Sequence, residues 1–96
     1  MTYRLAIRAH ARSDMRSARN WYEEQTPGLG IRFGDELDVV ILSIGQQPLI
    51  YPFIYRDVRR AMTRHFPYSV YFVVKGHRVA VLRVLHHARD PREWPA

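Results

Sequence analysis

Apolar and polar residues alternate along the first residues of the chain and then follow a helical period. Residues 3–8 alternate apolar and basic side chains, which predicts a strand with one buried face. No Gly or Pro occurs from Ala11 to about Gln25. The apolar residues of this segment recur at helical spacing: Met15, Ala18 and Tyr22. The pattern predicts an amphipathic helix, with Ser13 or Asp14 as its N-cap.

A second helical stripe follows a short turn. Pro27, Gly28 and Gly30 end the first helix, because Pro and Gly are the strongest helix breakers. Between about Ile31 and Gly45 the apolar residues again recur at helical spacing: Phe33, Leu37, Val40, Ile41 and Ile44. Two helices joined by so short a turn predict an αα-hairpin, with this stripe in the core.

Three strands are predicted in the second half of the chain, after an irregular connector at Leu49–Tyr55. They run from Val58 to about His65, from Tyr68 to Val74, and from Arg78 to about His86. The second is rich in the aromatic and β-branched residues that strands prefer. The order β-α-α-β-β-β predicts an α+β domain, in which the helical hairpin packs on one face of a small, mainly antiparallel, four-stranded sheet.

Length and composition fit a single small domain. The 96 residues allow one modest core, and a hydrophobic content of 47% argues against a disordered chain. The sequence has no Cys, which favours a reducing compartment. No apolar run approaches the roughly 20 residues of a membrane span, and the N-terminus lacks the apolar segment of a signal peptide. We expect one domain over residues 1–96, located in the cytoplasm.

Basic side chains are concentrated in the second half of the chain. Residues 1–47 hold six Arg and six acidic residues, whereas residues 48–96 hold nine basic and three acidic residues and carry the whole net charge of +6. Fourteen of the fifteen basic residues are Arg, which binds carboxylates and phosphates in a bidentate manner. Charge alone therefore leaves two interpretations open: a surface for an acidic partner or nucleic acid, or ordinary solubilising charge.

Four segments resemble, in their joint order and spacing, the RelE/ParE superfamily of toxins from type II toxin-antitoxin modules, most like its ParE branch. The first two are residues 21–33, with Trp21-Tyr22 and a Pro-Gly-Leu-Gly turn, and residues 48–60, with Arg59-Arg60. The others are residues 66–71, Phe-Pro-Tyr-Ser-Val-Tyr, and residues 83–94, which contain adjacent His residues. The resemblance covers nearly the whole chain.

The resemblance implies a bacterial toxin that a cognate antitoxin, usually encoded beside it, holds inactive. It also implies alternative activities. ParE-type members bind and inhibit DNA gyrase, are not known as catalysts, and are associated with growth inhibition and plasmid stabilization. RelE-type members are ribosome-dependent mRNA endoribonucleases. A third alternative is a non-toxic remnant that only binds a partner. No cofactor and no metal are expected.

Metal-independent RNA cleavage needs a general base, a general acid and cations around the phosphate. The possible catalytic groups are His65, His86, His87 and Arg83. Ribonuclease members generally carry an Arg directly after the aromatic residue that opens the third strand, whereas this chain has Ser69 after Tyr68. Because Ser supplies no cation, this departure favours gyrase inhibition over ribonuclease activity.

The residues expected to bind the target or the antitoxin share cationic or aromatic side chains. They are Arg59, Arg60, Arg64, Arg83, His86, His87, Arg89 and Trp94. We expect them to gather on the face of the sheet that the helices leave open. Arg83 is expected on the face of Val79 and Val81, either contacting an anion or paired with Asp57 or Glu93. One of the adjacent histidines is expected to pack in the core or lie at the strand end.

Two modes of antitoxin binding are expected. Antitoxin tails fold on binding, as an amphipathic helix in a groove or as a strand added to a sheet edge. The helical hairpin would supply the groove. An acidic segment would complement the +6 half of the chain and associate quickly.

Overall fold

The computed structural model describes residues 3–88, which form two helices and one five-stranded sheet. In chain order the elements are β1 (Arg4–Ile7), α1 (Ala9–Gln25), α2 (Leu29–Gln46), a 3-10 turn (Pro48–Ile50), β2 (Phe53–Tyr55), β3 (Val58–Met62), β4 (Tyr68–Lys75) and β5 (Arg78–His86). The sheet order is β1-β5-β4-β3-β2, with β1 parallel to β5 and the other neighbours antiparallel. The predicted α+β class is confirmed.

The sheet has one strand more than the sequence predicts, because part of the connector pairs with β3. Strand β2 has three residues and follows Pro52, which cannot donate a ladder hydrogen bond. Its pairing is irregular: Phe53 lies opposite Arg59 and Tyr55 opposite Val58. Such a short strand after a proline has no clear sequence pattern. It forms because the edge of β3 offers backbone groups with which it can pair.

The first helix has no side-chain cap at its start, whereas the start of the second helix is capped by the side chain of Glu23. Helix α1 begins directly after Arg8, which makes no side-chain cap, so the prediction of Ser13 or Asp14 as N-cap is wrong. At the turn, the Glu23 carboxylate accepts hydrogen bonds from the backbone N–H groups of Gly28 at 2.8 Å and Gly30 at 3.0 Å. Glu23 thus pairs N–H groups at the start of α2 that would otherwise lack partners.

Gly30 sets how closely the two helices approach. A Cβ atom at Gly30 would lie 2.6 Å from the backbone oxygen of Arg19, closer than real Cβ contacts allow. A Cβ atom at Gly34, one turn later, would lie 3.9 Å from its nearest neighbour, the Nε atom of Arg19. The tight contact is therefore confined to the turn end of the hairpin, and the helices leave more space between them further along.

The core lies between the hairpin and one face of the sheet. The helices contribute Ala11, Ala18, Phe33, Leu37 and Ile44, and the sheet contributes Ala61, Val70, Phe72, Val79, Val81 and Val84. Burial of each large apolar side chain stabilises the fold by about 1.5–3 kcal/mol. At the turn end, the ring of Tyr22 packs 5.1 Å from Phe33 and 4.9 Å from Phe66, whereas Trp21 stays 55% exposed.

An irregularity in β5 changes which face its side chains occupy. Tyr71 of β4 lies opposite Arg83, but the next residue, Phe72, lies opposite Val81, so Leu82 is an extra residue in β5. A bulge of this kind reverses the alternation of faces. The prediction that Arg83 shares the face of Val79 and Val81 is therefore wrong.

Candidate functional site

Arg83 is held in an ion pair with Asp14 of α1. Its Nε and Nη2 atoms donate to the two carboxylate oxygens at 2.7 and 3.0 Å, and the two side chains are only 18% and 15% exposed. The hydrogen bonds that the Arg83 guanidinium donates to Asp14 raise its pKa, although its desolvation works in the opposite direction. The guanidinium is thus already committed to a carboxylate.

The Asp14 carboxylate also accepts a hydrogen bond from the part of β5 that does not pair with β1. Pairing of β1 with β5 ends at Ile7 and Val81, and the backbone N–H of Val84 lies beyond it. That N–H donates to Asp14 at 2.9 Å. The expected partners of Arg83, Asp57 and Glu93, are not the ones found: Asp57 pairs with Lys75 at 2.7 Å, and Glu93 lies outside the described residues.

Arg59 fixes the connector that precedes its own strand. Its Nη1 atom donates to the backbone oxygens of Tyr51 at 2.6 Å and Leu49 at 3.3 Å, and its guanidinium lies 3.9 Å from the centre of the Phe53 ring. Arg60, the next residue, lies opposite Tyr71 on the other face of the sheet. Arg59 is therefore engaged within the fold.

The loop between β3 and β4 is tied to α2 through Glu36. This carboxylate accepts a hydrogen bond from the backbone N–H of His65 at 2.5 Å, and its other oxygen lies 3.0 Å from Nδ1 of the same residue. Burial disfavours the ionised form of Glu36, but the hydrogen bonds from His65 and from the Arg64 backbone outweigh it and lower the pKa. The side chains of Arg64 and His65 lie exposed in this loop.

His86 and His87 lie together at the end of β5, and both are exposed. Their ring centroids are 6.5 Å apart, and the His86 ring stands edge-on to Tyr68 at 5.4 Å. Nδ1 of His86 accepts a hydrogen bond from the backbone N–H of Ala88 at 3.0 Å. Nε2 of His87 lies 3.0 Å from the backbone oxygen of Tyr68. Both occupy the strand end, and neither packs in the core.

Ser69 is fully buried and lies opposite Leu85 of β5. Within residues 3–88 its hydroxyl is the one buried side-chain polar atom without a hydrogen-bond partner. It stands at the position where ribonuclease relatives are expected to carry Arg, and a buried hydroxyl supplies no charge to a phosphate.

The cationic candidates gather only in part on the face of the sheet that the helices leave open: Arg60 and Arg83 both lie there, opposite Tyr71, and the others do not. Arg59 lies opposite Phe72 on the helix side, Arg60 lies on the other side, and His65 contacts α2. The reason is that adjacent strand residues alternate between faces. Arg89 and Trp94, the remaining candidates, lie outside the described residues.

A groove lies along the helical hairpin, and its two oppositely charged walls were not predicted from the sequence. It encloses about 610 Å³. One wall is basic and belongs to α1: Arg12, Arg16 and Arg19. The other wall is acidic and belongs to α2: Asp35 and Asp38. Across residues 3–88, no ion pair joins the two walls. The spacing i, i+4, i+7 places the three arginines on one face of a helix and could have predicted the basic wall. The net charge of zero in residues 1–47 does not reveal it.

The described residues contain no group of three or more His, Cys, Asp or Glu side chains placed to hold a metal ion. None of the helices between residues 3 and 88 has both the length and the apolar character needed to cross a membrane.

Comparison with known proteins decides the family. A family model described as the ParE toxin of type II toxin-antitoxin system, parDE, matches residues 5–91. The chain belongs to the ParE toxin family. This confirms the resemblance inferred from the sequence and makes the chain a ParE-type toxin of a type II toxin-antitoxin system.

Solved structures share the fold of this ParE-family chain. A chain of the chromosomal ParDE TA system from P. aeruginosa superposes with a TM-score of 0.80 at 19% identity, covering 88% of this chain and 96% of that chain. A chain of the toxin-antitoxin complex RelBE2 from Mycobacterium tuberculosis gives 0.63 at 15% identity, covering 90% and 99%. No curated protein matches the sequence.

Proposed function

We propose that this ParE-family toxin inhibits growth by binding DNA gyrase and that a cognate antitoxin neutralises it. The observation that carries the proposal is the ParE toxin match over residues 5–91. The groups that RNA cleavage would need support it further, because they are committed elsewhere or lie apart. Arg83 is paired with Asp14, and His65 is tied to α2. Inhibition by binding needs none of them as a catalyst.

The rival function is ribosome-dependent cleavage of mRNA. The observations in its favour are the exposed pair His86 and His87 at one strand end, and the fold shared with the RelBE2 complex. A base and an acid alone leave the phosphate without a cation, and Ser69 is buried where that cation is expected. We therefore rank gyrase binding first.

Two assays on the purified chain separate these functions. The proposal expects loss of gyrase supercoiling and intact mRNA in a translation extract. Cleaved message with unaffected supercoiling would reverse the ranking. If the rival function holds, a His86→Ala/His87→Ala variant should lose mRNA cleavage, because these histidines are its candidate base and acid. Normal growth on induced expression would indicate a non-toxic remnant instead.

Neutralisation is tested by co-expression with the neighbouring reading frame. We expect a short gene whose product restores growth and copurifies with the toxin, in the cytoplasm of a bacterial host. If an acidic segment of the antitoxin contacts the later strands, charge reversal of Arg60 and Arg64 should weaken the complex. Arg59 is left intact, since its loss would disturb the connector as well.

A further inference from the structure

We propose that a row of basic side chains on the open face of the sheet binds the phosphodiester backbone of a nucleic acid strand. The open face is the one that the helices do not cover. The basic row consists of Arg4 of β1, Arg78 of β5 and Lys75 of β4. The proposal goes beyond gyrase binding and neutralisation, and it depends on neither.

The pairing of three strands places these side chains next to one another. Arg4 lies opposite Arg78 in the parallel pairing of β1 with β5, and Arg78 lies opposite Lys75 in the antiparallel pairing of β5 with β4. A neighbour of each along its strand belongs to the hydrophobic core or packs against it: Leu5, Val79 and Val74. Since adjacent strand residues point to opposite faces, the basic row lies on the open face. Adjacent strands are about 4.8 Å apart, so the row is about 10 Å long.

The charges of the basic row favour a bound anion. Like charges directly opposite each other on a sheet are destabilising. Arg4 and Arg78 are exposed, and neither takes part in an ion pair within residues 3–88. Lys75 donates to Asp57 at 2.7 Å, but the two side chains are 69% and 56% exposed. Such an exposed pair is weak, so a ligand with several negative charges can displace Asp57 from Lys75.

Small side chains next to the basic row leave space for a ligand. The next residues along the open face have short or partly buried side chains: Ala6, Ala80 and Val73. Beyond this floor, Arg60 lies on the same face, opposite Tyr71. Tyr71 is four residues from Lys75 along β4, which is about 13 Å. A chain of phosphates that crosses the floor therefore meets cations at both of its ends.

A phosphodiester chain fits this face better than an acidic peptide does. The backbone groups of β4 and β5 are paired with neighbouring strands on both sides, so a peptide lying across the face would find no backbone partners there. A nucleic acid backbone needs only side-chain donors, and Arg and Lys donate to its phosphate oxygens without regard to base sequence. The floor of small side chains also offers little of the apolar surface found at the centre of protein interfaces.

The test measures binding of the full 96-residue chain to a labelled single strand by fluorescence anisotropy. The strand has about 12 nucleotides of mixed sequence and is used both as DNA and as RNA. For single strands, the logarithm of the binding constant falls against the logarithm of the salt concentration with a slope of about −0.7 per phosphate contact. Three contacts predict a slope of about −2 for both strands. Tripolyphosphate and polyglutamate serve as competitors, and we expect both to bind more weakly than the strands at equal total charge.

Two double variants of equal net charge locate the site. Arg4→Gln/Arg78→Gln removes two cations of the basic row, and Arg16→Gln/Arg32→Gln removes two exposed cations from the helices. Loss of two phosphate contacts should weaken binding about ten-fold at about 0.2 M salt and reduce the slope by about 1.4. The helix variant should keep the wild-type slope. All four positions are exposed, so both variants should fold, and circular dichroism checks this.

A single variant should bind more tightly than the wild type. Asp57→Asn removes the carboxylate that accepts from Lys75 and so frees this ammonium group for a phosphate. Asp35→Asn, at an exposed position of α2, raises the net charge by the same amount and is the matched control. We expect about two- to three-fold tighter binding for Asp57→Asn at about 0.2 M salt, and less change for Asp35→Asn.

Four results would overturn the proposal: no binding of either strand, equal losses in the two double variants, equal affinities of Asp57→Asn and Asp35→Asn, or a competitor that binds as tightly as the strands. Tripolyphosphate in that last role would assign the basic row to free phosphates, and polyglutamate would assign it to an acidic protein. Neither gyrase nor an antitoxin is present in these measurements. Failure of the basic row therefore leaves the proposed function standing, and failure of the proposed function leaves strand binding intact.

Discussion

Removal of the Asp14 carboxylate should destabilise this ParE-family toxin more than any comparable change at an exposed acid. Asp14 accepts three hydrogen bonds, two from Arg83 and one from the Val84 backbone. In an Asp14→Ala variant the guanidinium would lose its carboxylate, and the Val84 N–H would lose its acceptor at the part of β5 that β1 does not cover.

The magnitude follows from burial. Breaking a fully buried ion pair from one side costs about 3–5 kcal/mol. Here the two side chains keep 18% and 15% of their exposure, so water relieves part of the penalty and we expect about 2–3 kcal/mol. A domain of this length has a total stability of about 5–14 kcal/mol. The variant should therefore remain folded at 25 °C while its urea midpoint falls clearly.

A double-mutant cycle isolates the pair. Urea unfolding, followed by circular dichroism, is measured for Asp14→Ala, Arg83→Met and the double variant. Because Arg83→Met removes the two guanidinium hydrogen bonds that Asp14→Ala also removes, the double variant should lose less than the sum of the single losses, with a coupling of about 1–2 kcal/mol. The exposed pair Lys75–Asp57 is the control and should show no measurable coupling. Coupling below about 0.5 kcal/mol at Asp14–Arg83 would refute the assignment.

Two further predictions concern the hairpin. Gly30→Ala should lower the Tm, at a cost of about 1–3 kcal/mol, because its Cβ would meet the Arg19 oxygen at 2.6 Å, whereas Gly34→Ala should raise it by helix propensity. Equal shifts in thermal melts would contradict this. Glu36→Gln tests the contact of α2 with His65. Since the pKa of Glu36 is lowered, its stabilisation is present above the unfolded pKa of about 4.3 and is lost as pH falls through the folded pKa. The stability gap between wild type and Glu36→Gln should therefore shrink from pH 7 to pH 3.5, and a constant gap in urea titrations would exclude the mechanism.

The helices could be predicted because each carries a periodic apolar stripe, and β4 could be predicted because it is rich in the aromatic and β-branched residues that strands prefer. Phe33, Leu37 and Ile44 fall on one helical stripe, and all three are buried. Strand β2 could not be predicted, since three residues after a proline have no period of their own. The bulge at Leu82 also has no recognisable sequence pattern, yet it determines the face of the sheet on which Arg83 lies.

The candidate site was harder to predict because charged side chains choose their partners in three dimensions. Asp14 was predicted to be an N-cap because it lies near the start of a helix, but it accepts a hydrogen bond from the backbone of a strand about 70 residues away. Arg59 read as a binding residue, but it holds the preceding connector through the Tyr51 oxygen. In both cases the competing partner lies on another element, and spacing along the chain contains no information about it.

The groove shows why charge counts alone mislead for a chain of this kind. The charges of residues 1–47 sum to zero, so net charge predicts no charged partner for this half, whereas the later half carries the whole +6. Net charge governs long-range attraction, whereas selection between partners depends on how opposite charges are separated in space. Packing the core stripes of α1 and α2 against the sheet places the arginines on one wall and Asp35 and Asp38 on the other.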